Sequence, residues 1–241
     1  MNNSHHLAAI ILAAGKGKRM QGGDSTNKVI SPLARKPMIK HIVEFMEAIF
    51  VEQIVVVVGH AKESVQQVLT EHRLTFAEQS EQLGTGHAVG VALTSLRPEI
   101  TDVMVVYGDD AVLYSANNSK IISELIAKHY QNQAALTFLT IEQQNPFGLG
   151  RIVRDANGHV QAIVEEKNAT EEQKKITEIN PGCFIFQKDF LSRYLDRIEK
   201  NVVSGEYYLT DLVDIALQAG EKVQAIRGGQ LLWRGVNTQE E

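Results

Sequence analysis

Within five residues, Gly15-Lys16-Gly17-Lys18-Arg19, the chain places two glycines, two lysines and an arginine. Together these residue types suit the holding of an anion. Glycine lets backbone N–H groups turn toward a phosphate with no Cβ in the way, and the basic side chains add charge that hydroxyls and amides cannot. The loop follows an apolar run, Leu7 to Ile11, that reads as a buried strand. A strand feeding such a loop is where an open α/β sheet takes a nucleotide. Spacing argues against two familiar loops. The dinucleotide fingerprint wants a third glycine where Met20 stands, and a Walker A loop needs Gly-Lys followed by Ser or Thr, which this chain lacks. The plain alternative is a glycine-rich turn with solvated lysines.

The elements that must position this loop follow from pattern. Apolar runs at Leu7–Ala13, Gln53–Val58 and Asp102–Tyr107 predict strands covered on both faces, as in a parallel sheet. Helical spacing predicts helices over Pro37–Phe50, Ala61–Glu71 and Gly86–Leu96, which makes βαβ units. Beyond residue 110 the texture changes. A helix is expected at Asn117–Tyr130, a strand at Ala134–Ile141, and a hairpin whose arms, Arg151–Asp155 and His159–Glu165, flank Ala156-Asn157-Gly158. A strand at Glu178–Phe186 and helices at Lys188–Lys200 and Leu209–Ala219 complete the reading, the last burying Leu212, Ile215 and Ala216. The expected fold is α/β, with a Rossmann-like mixed, mainly parallel sheet flanked by helices and a smaller β lobe. It forms one domain over 1–241, with one half to about residue 110 and the other from about 111.

Composition narrows the function. Hydrophobic content of 44% and charged content of 22% are those of an ordinary globular chain. The net charge of −5 argues against nucleic acid or an anionic membrane as the main partner. Residues 1–40 nevertheless hold seven Lys and Arg against one acid, Asp24, a local balance of +6 that leaves −11 for the rest. A cationic segment in an acidic protein suits a small polyanion. Cys183 is the only cysteine, which excludes an intrachain disulfide and suits a reducing compartment. No apolar run reaches the roughly 20 residues of a membrane span, and the polar start lacks a signal-peptide pattern, so a cytoplasmic protein is expected. His5-His6 reads as solvated and Cys183 as inert core.

With this layout, a set of motifs falls in order: Leu12–Met20, Lys28, Lys36-Pro37-Met38, Val58-Gly59-His60, Glu81–Ala88, Tyr107-Gly108-Asp109, Gly148–Val153, Ile163–Lys167, Gly205–Asp211 and Gly235-Val236-Asn237. The ordered set closely resembles the pyrophosphorylase domain of bacterial bifunctional N-acetylglucosamine-1-phosphate uridyltransferases, within the sugar-1-phosphate nucleotidyltransferase family. The match runs from about Leu7 to Asn237. It implies the nucleotide-diphospho-sugar transferase fold and a Mg²⁺-dependent reaction of UTP with a hexosamine 1-phosphate, giving a UDP-sugar and pyrophosphate for cell-envelope polymers.

The resemblance also implies roles. Arg19, Lys28 and Asp109 would be catalytic, the first two neutralising the triphosphate. Asp109 and Asn237 would hold Mg²⁺. Leu12, Ala13, Ala14, Gly15, Gln79, Gly84 and Thr85 would form the nucleotide pocket, with Gln79, Gly84 and Thr85 reading uracil. Tyr107, Gly108, Gly150, Glu165, Asn180 and Asn237 would meet the sugar. On residue type alone, Glu165-Glu166-Lys167 would be a solvated charge run, Tyr107 could equally be core, and His87 reads as structural.

The chain departs from the family's pattern at named places. Asn27 stands where Pro usually precedes the lysine, which bears on how firmly Lys28 is placed. Asp110-Ala111 replaces a small apolar residue and Pro, so Asp110 either strengthens a cation site or repels phosphate. Pro181 replaces the Thr after Asn180, which bears on the choice of sugar. The hexapeptide-repeat β-helix of the bifunctional enzymes is absent from the sequence to Glu241, so no acetyltransferase activity is expected, and monomer and dimer stay open. The competing readings are the same reaction on another sugar 1-phosphate or nucleotide, a UDP-sugar-binding protein without catalysis, and an NAD-dependent oxidoreductase, the last disfavoured by the missing glycine.

Overall fold

Continuous apolar runs build the first sheet. Strand β1 (Leu7–Ala13) lies between two parallel partners, so Ala8, Ala9, Ile10 and Ile11 have no solvent exposure. The computed structural model describes residues 5–15, 27–231 and 233. Arg19 and Asn237, with the Lys16–Lys18 part of the glycine loop, lie outside them.

The described chain divides into two units. The first comprises residues up to Gln82 together with His87–Ser119, and the second comprises Leu83–Gly86 and Lys120–Leu231. After β1, a two-residue hairpin joins β2 (Pro32–Leu33) to β3 (Lys36–Pro37). Helix α1 (Met38–Ala48) buries Met38, Ile39, Ile42, Val43 and Met46, one face at helical spacing. Then follow β4 (Gln53–Val58), α2 (Lys62–Val68), β5 (Thr75–Glu78), α3 (Thr85–Leu93) and β6 (Asp102–Tyr107). The first unit's strands run in the order β5-β4-β1-β6, all parallel. The chain leaves β1 for β4 and β5 on one side and returns to β6 on the other. A reversal of strand order of this kind opens a crevice at the strands' carboxyl ends.

The long stretch of the second unit begins inside α4 (Ser119–Asn132) and continues with β7 (Leu136–Glu142). The hairpin β8 (Gly150–Arg154) and β9 (Val160–Val164) follows, and then β10 (Glu178–Asn180) and β11 (Cys183–Gln187). These pair antiparallel, β7 taking both β11 and β10, β10 taking β8, and β8 taking β9; β12 (Val223–Arg227) joins β7 in parallel. An aromatic column, Phe138, Phe184, Phe186, Phe190 and Tyr194, fills the layer beneath, with centroid separations of 4.9–6.2 Å. Helix α5 (Lys188–Tyr194) carries its end, and α6 (Asp211–Gln218) lies against β9.

Several expectations need correction. The strand expected over Glu178–Phe186 is two strands, because Pro181 has no N–H to give the ladder. Across the break the register on β7 slips by two residues, and the Asn180 side chain donates to the Leu139 carbonyl at 3.1 Å. The helix expected to Lys200 stops at Tyr194 and continues as a short 3-10 turn. Helix α6 buries Val213 in place of Ile215. His5 and His6, expected to be solvated, lie beside Asp102 and Glu52. Cys183 is fully buried, as expected of inert core. No helix among the described residues is long and apolar enough to cross a membrane.

Candidate functional site

At the carboxyl edge of the first unit, ladder register collects the expected residues. Leu12 stands opposite Tyr107, Ala13 opposite Val58, and Val58 opposite Glu78. The residues just past each strand end therefore emerge together: Ala14 and Gly15, Gly59 and His60, Gln79, and Gly108 and Asp109. Gly108 donates its N–H to the Leu12 carbonyl at 2.9 Å. A Cβ there would meet that same oxygen at 2.9 Å and Val29 Cγ1 at 3.1 Å, so only glycine brings the turn this close.

The turn aims Asp109 at Lys28. The Lys28 ammonium donates to Asp109 Oδ2 at 2.7 Å, with the lysine side chain 10% exposed and the aspartate 32%. Lys28 opens a 3-10 turn, Lys28–Ile30, whose N-cap is Asn27. Asn27 is buried, donating to the Ala13 carbonyl at 2.8 Å and the His60 carbonyl at 2.9 Å while its Oδ1 accepts from Val29 N–H. Asp110 is buried behind Asp109. Burial, with the neighbouring Asp109 carboxylate adding to it, holds the Asp110 carboxyl well above the usual carboxylate range, against the opposing pull of Lys28. Among the described residues, this corner thus pairs a partly exposed carboxylate, Asp109, with a largely buried ammonium, Lys28.

Gln79 is also buried, at the end of β5, where its Nε2 donates to His87 Nδ1 at 2.9 Å. His87, read as structural, thereby sets how the Gln79 amide is turned.

The remaining expected residues belong to the second unit. Gly84 and Thr85 sit beside Tyr207 and Leu209. Tyr207 N–H donates to the Leu83 carbonyl at 2.7 Å, and Leu209 N–H to Thr85 Oγ1 at 2.9 Å. Gly150 pairs with Asn180 across β8 and β10, and Glu165 follows the pairing of Val164 with Arg151, so Glu165, Gly150 and Asn180 form one row across three strands. Burial raises the Glu165 carboxyl, opposed by a hydrogen bond from Thr210 Oγ1 at 2.9 Å. Glu166 takes Arg151, a guanidinium only 2% exposed, and the Gly148 N–H. The solvated charge run suggested by residue type is therefore two half-buried carboxylates with assigned partners. The contacts of Thr210 and Arg151 join residues 45 and 15 positions apart in the chain, which residue type and spacing do not announce.

Among the described residues, a cation would find one solvent-facing carboxylate here, Asp109, with Oδ2 shared with Lys28. No cluster of three His, Cys, Asp or Glu exists among the described residues. This fits Mg²⁺, which keeps water and phosphate oxygens as most of its ligands and binds through one or two carboxylates.

Known proteins resemble this chain in sequence and in fold. The protein called Bifunctional protein GlmU of Caldicellulosiruptor saccharolyticus is 44% identical over 215 residues, 89% of this chain and 45% of the relative. Its namesake in Psychrobacter sp. is 40% identical over 242 residues, 100% of this chain and 50% of the relative. The chain thus spans about half the length of these curated relatives. In fold, a crystal structure of a Bacillus anthracis protein described as a glucose-1-phosphate thymidylyltransferase superposes with a TM-score of 0.77, covering 97% of this chain and 91% of that one at 21% identity. The α/β architecture expected from the strand and helix runs is the one observed. The nucleotidyl transferase family matches residues 8–239, nearly the whole chain, and the chain belongs to that family.

Proposed function

We propose that this chain is a Mg²⁺-dependent nucleotidyltransferase that joins UTP to N-acetylglucosamine 1-phosphate, giving UDP-N-acetylglucosamine and pyrophosphate in the cytoplasm. The observation that carries the reading is the Lys28–Asp109 pair, 2.7 Å apart where the strand order reverses. A sugar phosphate oxygen attacks the α-phosphorus, a new P–O bond forms, and the bond to pyrophosphate breaks with its electrons leaving on pyrophosphate. The attacking phosphate is already ionised at neutral pH, so no general base is required. What the protein supplies is alignment and charge neutralisation. Lys28, held among buried neighbours, offers a fixed positive charge to the α-phosphate. Mg²⁺, held by Asp109 and by Asn237 as the resemblance implies, would neutralise the triphosphate.

The row of Glu165, Gly150 and Asn180 supports a sugar-binding role for the second unit. Glu165 can accept from sugar hydroxyls while Thr210 fixes one of its oxygens. The motifs shared with the bifunctional relatives support uracil and N-acetylglucosamine over other bases and sugars. The test is pyrophosphate release from UTP, N-acetylglucosamine 1-phosphate and Mg²⁺, beside Asp109→Asn. Release that the substitution reduces at least about a hundredfold, the scale of a lost electrostatic group, bears the proposal out. No release from the folded wild-type protein refutes it.

A further inference from the structure

Lys28 does not hold itself in place. It is flanked by two buried residues, Asn27 at 2% exposure and Val29 at 5%, and the side chain of Asn27 carries three hydrogen bonds. Two of them spend both amide protons, one on the carbonyl of Ala13, the last residue of β1, and one on the carbonyl of His60, two residues past β4. The third is the cap on the turn that Lys28 begins. One amide therefore ties two neighbouring strand ends together and fixes the start of the turn that carries the ammonium. The assignment of its two ends is unambiguous, because two carbonyls require the donor and an N–H requires the acceptor.

We propose that Asn27 is a positioning residue for the reaction, acting through Lys28 by locking the Lys28–Ile30 turn to the ends of β1 and β4 so that the ammonium stands against Asp109. The chemistry required is narrow. Aspartate keeps the cap but turns a second oxygen toward two carbonyls that need donors. Serine keeps the acceptor and one donor. Alanine removes all three bonds and leaves the Ala13 and His60 carbonyls and the Val29 N–H without that partner. The inference rests on the proposed function for its kinetic readout alone.

The experiment is a double-mutant cycle with Lys28. Asn27→Asp and Asn27→Ala are each expected to lower kcat by about 10- to 100-fold, as a misplacement near 1 Å does. Little change is expected in KM for the sugar phosphate, whose proposed contacts lie on other strands, and Asn27→Ser should recover part of the rate. In a Lys28→Ala background the same substitutions should lower kcat no further, whereas a general structural role would lower it again. A second readout needs no turnover. Reductive methylation of Lys28, followed by mass spectrometry against Lys120 and Lys128 on α4, should speed up several-fold in Asn27→Asp. Wild-type kcat in Asn27→Asp, or a loss that multiplies with Lys28→Ala, overturns the proposal. If wild-type protein releases no pyrophosphate, the proposed function fails by itself, and the Lys28 labelling rate decides this inference, an unchanged rate overturning it.

Discussion

Asp211 opens α6 in two opposed environments, and their magnitudes decide what its removal does. Burial first, and the Asp214 carboxylate second, push its carboxyl up to about 6 from an ordinary 3.8. At about 1.4 kcal/mol per pH unit, the full difference would be about 3 kcal/mol against the charged form. The group is only half-buried, so water screens it and about 1–2 kcal/mol remains. Against this, a carboxylate in the first turn of a helix gains about 0.3–1 kcal/mol from the helix dipole. Burial therefore wins, and Asp211→Asn should stabilise the protein by up to about 1 kcal/mol near pH 7.5. The sign follows from linkage. The folded carboxyl holds its proton more tightly than the unfolded one, so its stabilising contribution is fully present below about pH 4 and is lost as pH rises through about 6. The advantage of the asparagine variant should then grow between pH 4 and 7 and nearly vanish at pH 4. Urea unfolding at the two pH values, read from the midpoint at constant slope, measures it. A variant less stable at pH 7.5, or equally advantaged at both, would refute the reasoning.

Two further substitutions test the packing around the proposed sites. Gly108→Ala sets a methyl 2.9 Å from the Leu12 carbonyl, inside a ladder that cannot yield. It should cost about 1–3 kcal/mol and lower pyrophosphate release by displacing Asp109, read by thermal melting and kcat together. Arg151→Met removes a buried guanidinium that donates to Glu166 and to the Leu149 carbonyl. The expected loss is about 2–4 kcal/mol, because Glu166 keeps some access to water and Arg151 Nε has no hydrogen-bond partner among the described residues to lose. Adding Glu166→Gln should cost less than the two single losses together, as judged by urea unfolding.

What was legible in the sequence depended on how each element is buried. Strands β1, β4 and β6 coincide with their apolar runs because both faces are covered, which turns strand length directly into run length. β5 and β12 left no comparable signal. Thr75–Glu78 is four residues with one buried, and Val223–Arg227 is five with one buried. Both are specified by partners, β5 by β4 and β12 by β7, the latter more than 80 residues away. Pro181 was visible, and its missing N–H alone would have broken the strand read through it. At the site, Lys28 and Asp109 could be named individually, but the contact between residues 81 apart could not. Asn27 read as a departure from the family's proline, while its three hydrogen bonds required the ends of β1 and β4 to be in place. For Asp110, the alternatives of cation binding and phosphate repulsion could be named from its place beside Asp109, but its burial could not.

Why the chemistry sits one or two residues beyond the strands also follows from the ladder. Parallel register delivers four chain ends to one edge, and the space there is already taken. A Cβ on Gly59 would meet the Gln79 carbonyl at 2.8 Å and Ala14 Cβ at 3.0 Å, and one on Gly108 would meet Leu12. The first residues out are therefore held to glycine, alanine or a side chain turned inward, as Gln79 turns to His87. Only after that crowded layer does a carboxylate reach solvent, at Asp109 two residues past β6, with the largely buried Lys28 ammonium against it. A substitution in the crowded layer moves backbone and costs stability and rate together. One at Lys28 removes charge from a fixed frame and should cost rate with little loss of stability. The two classes of residue are separable by measuring both quantities on each variant.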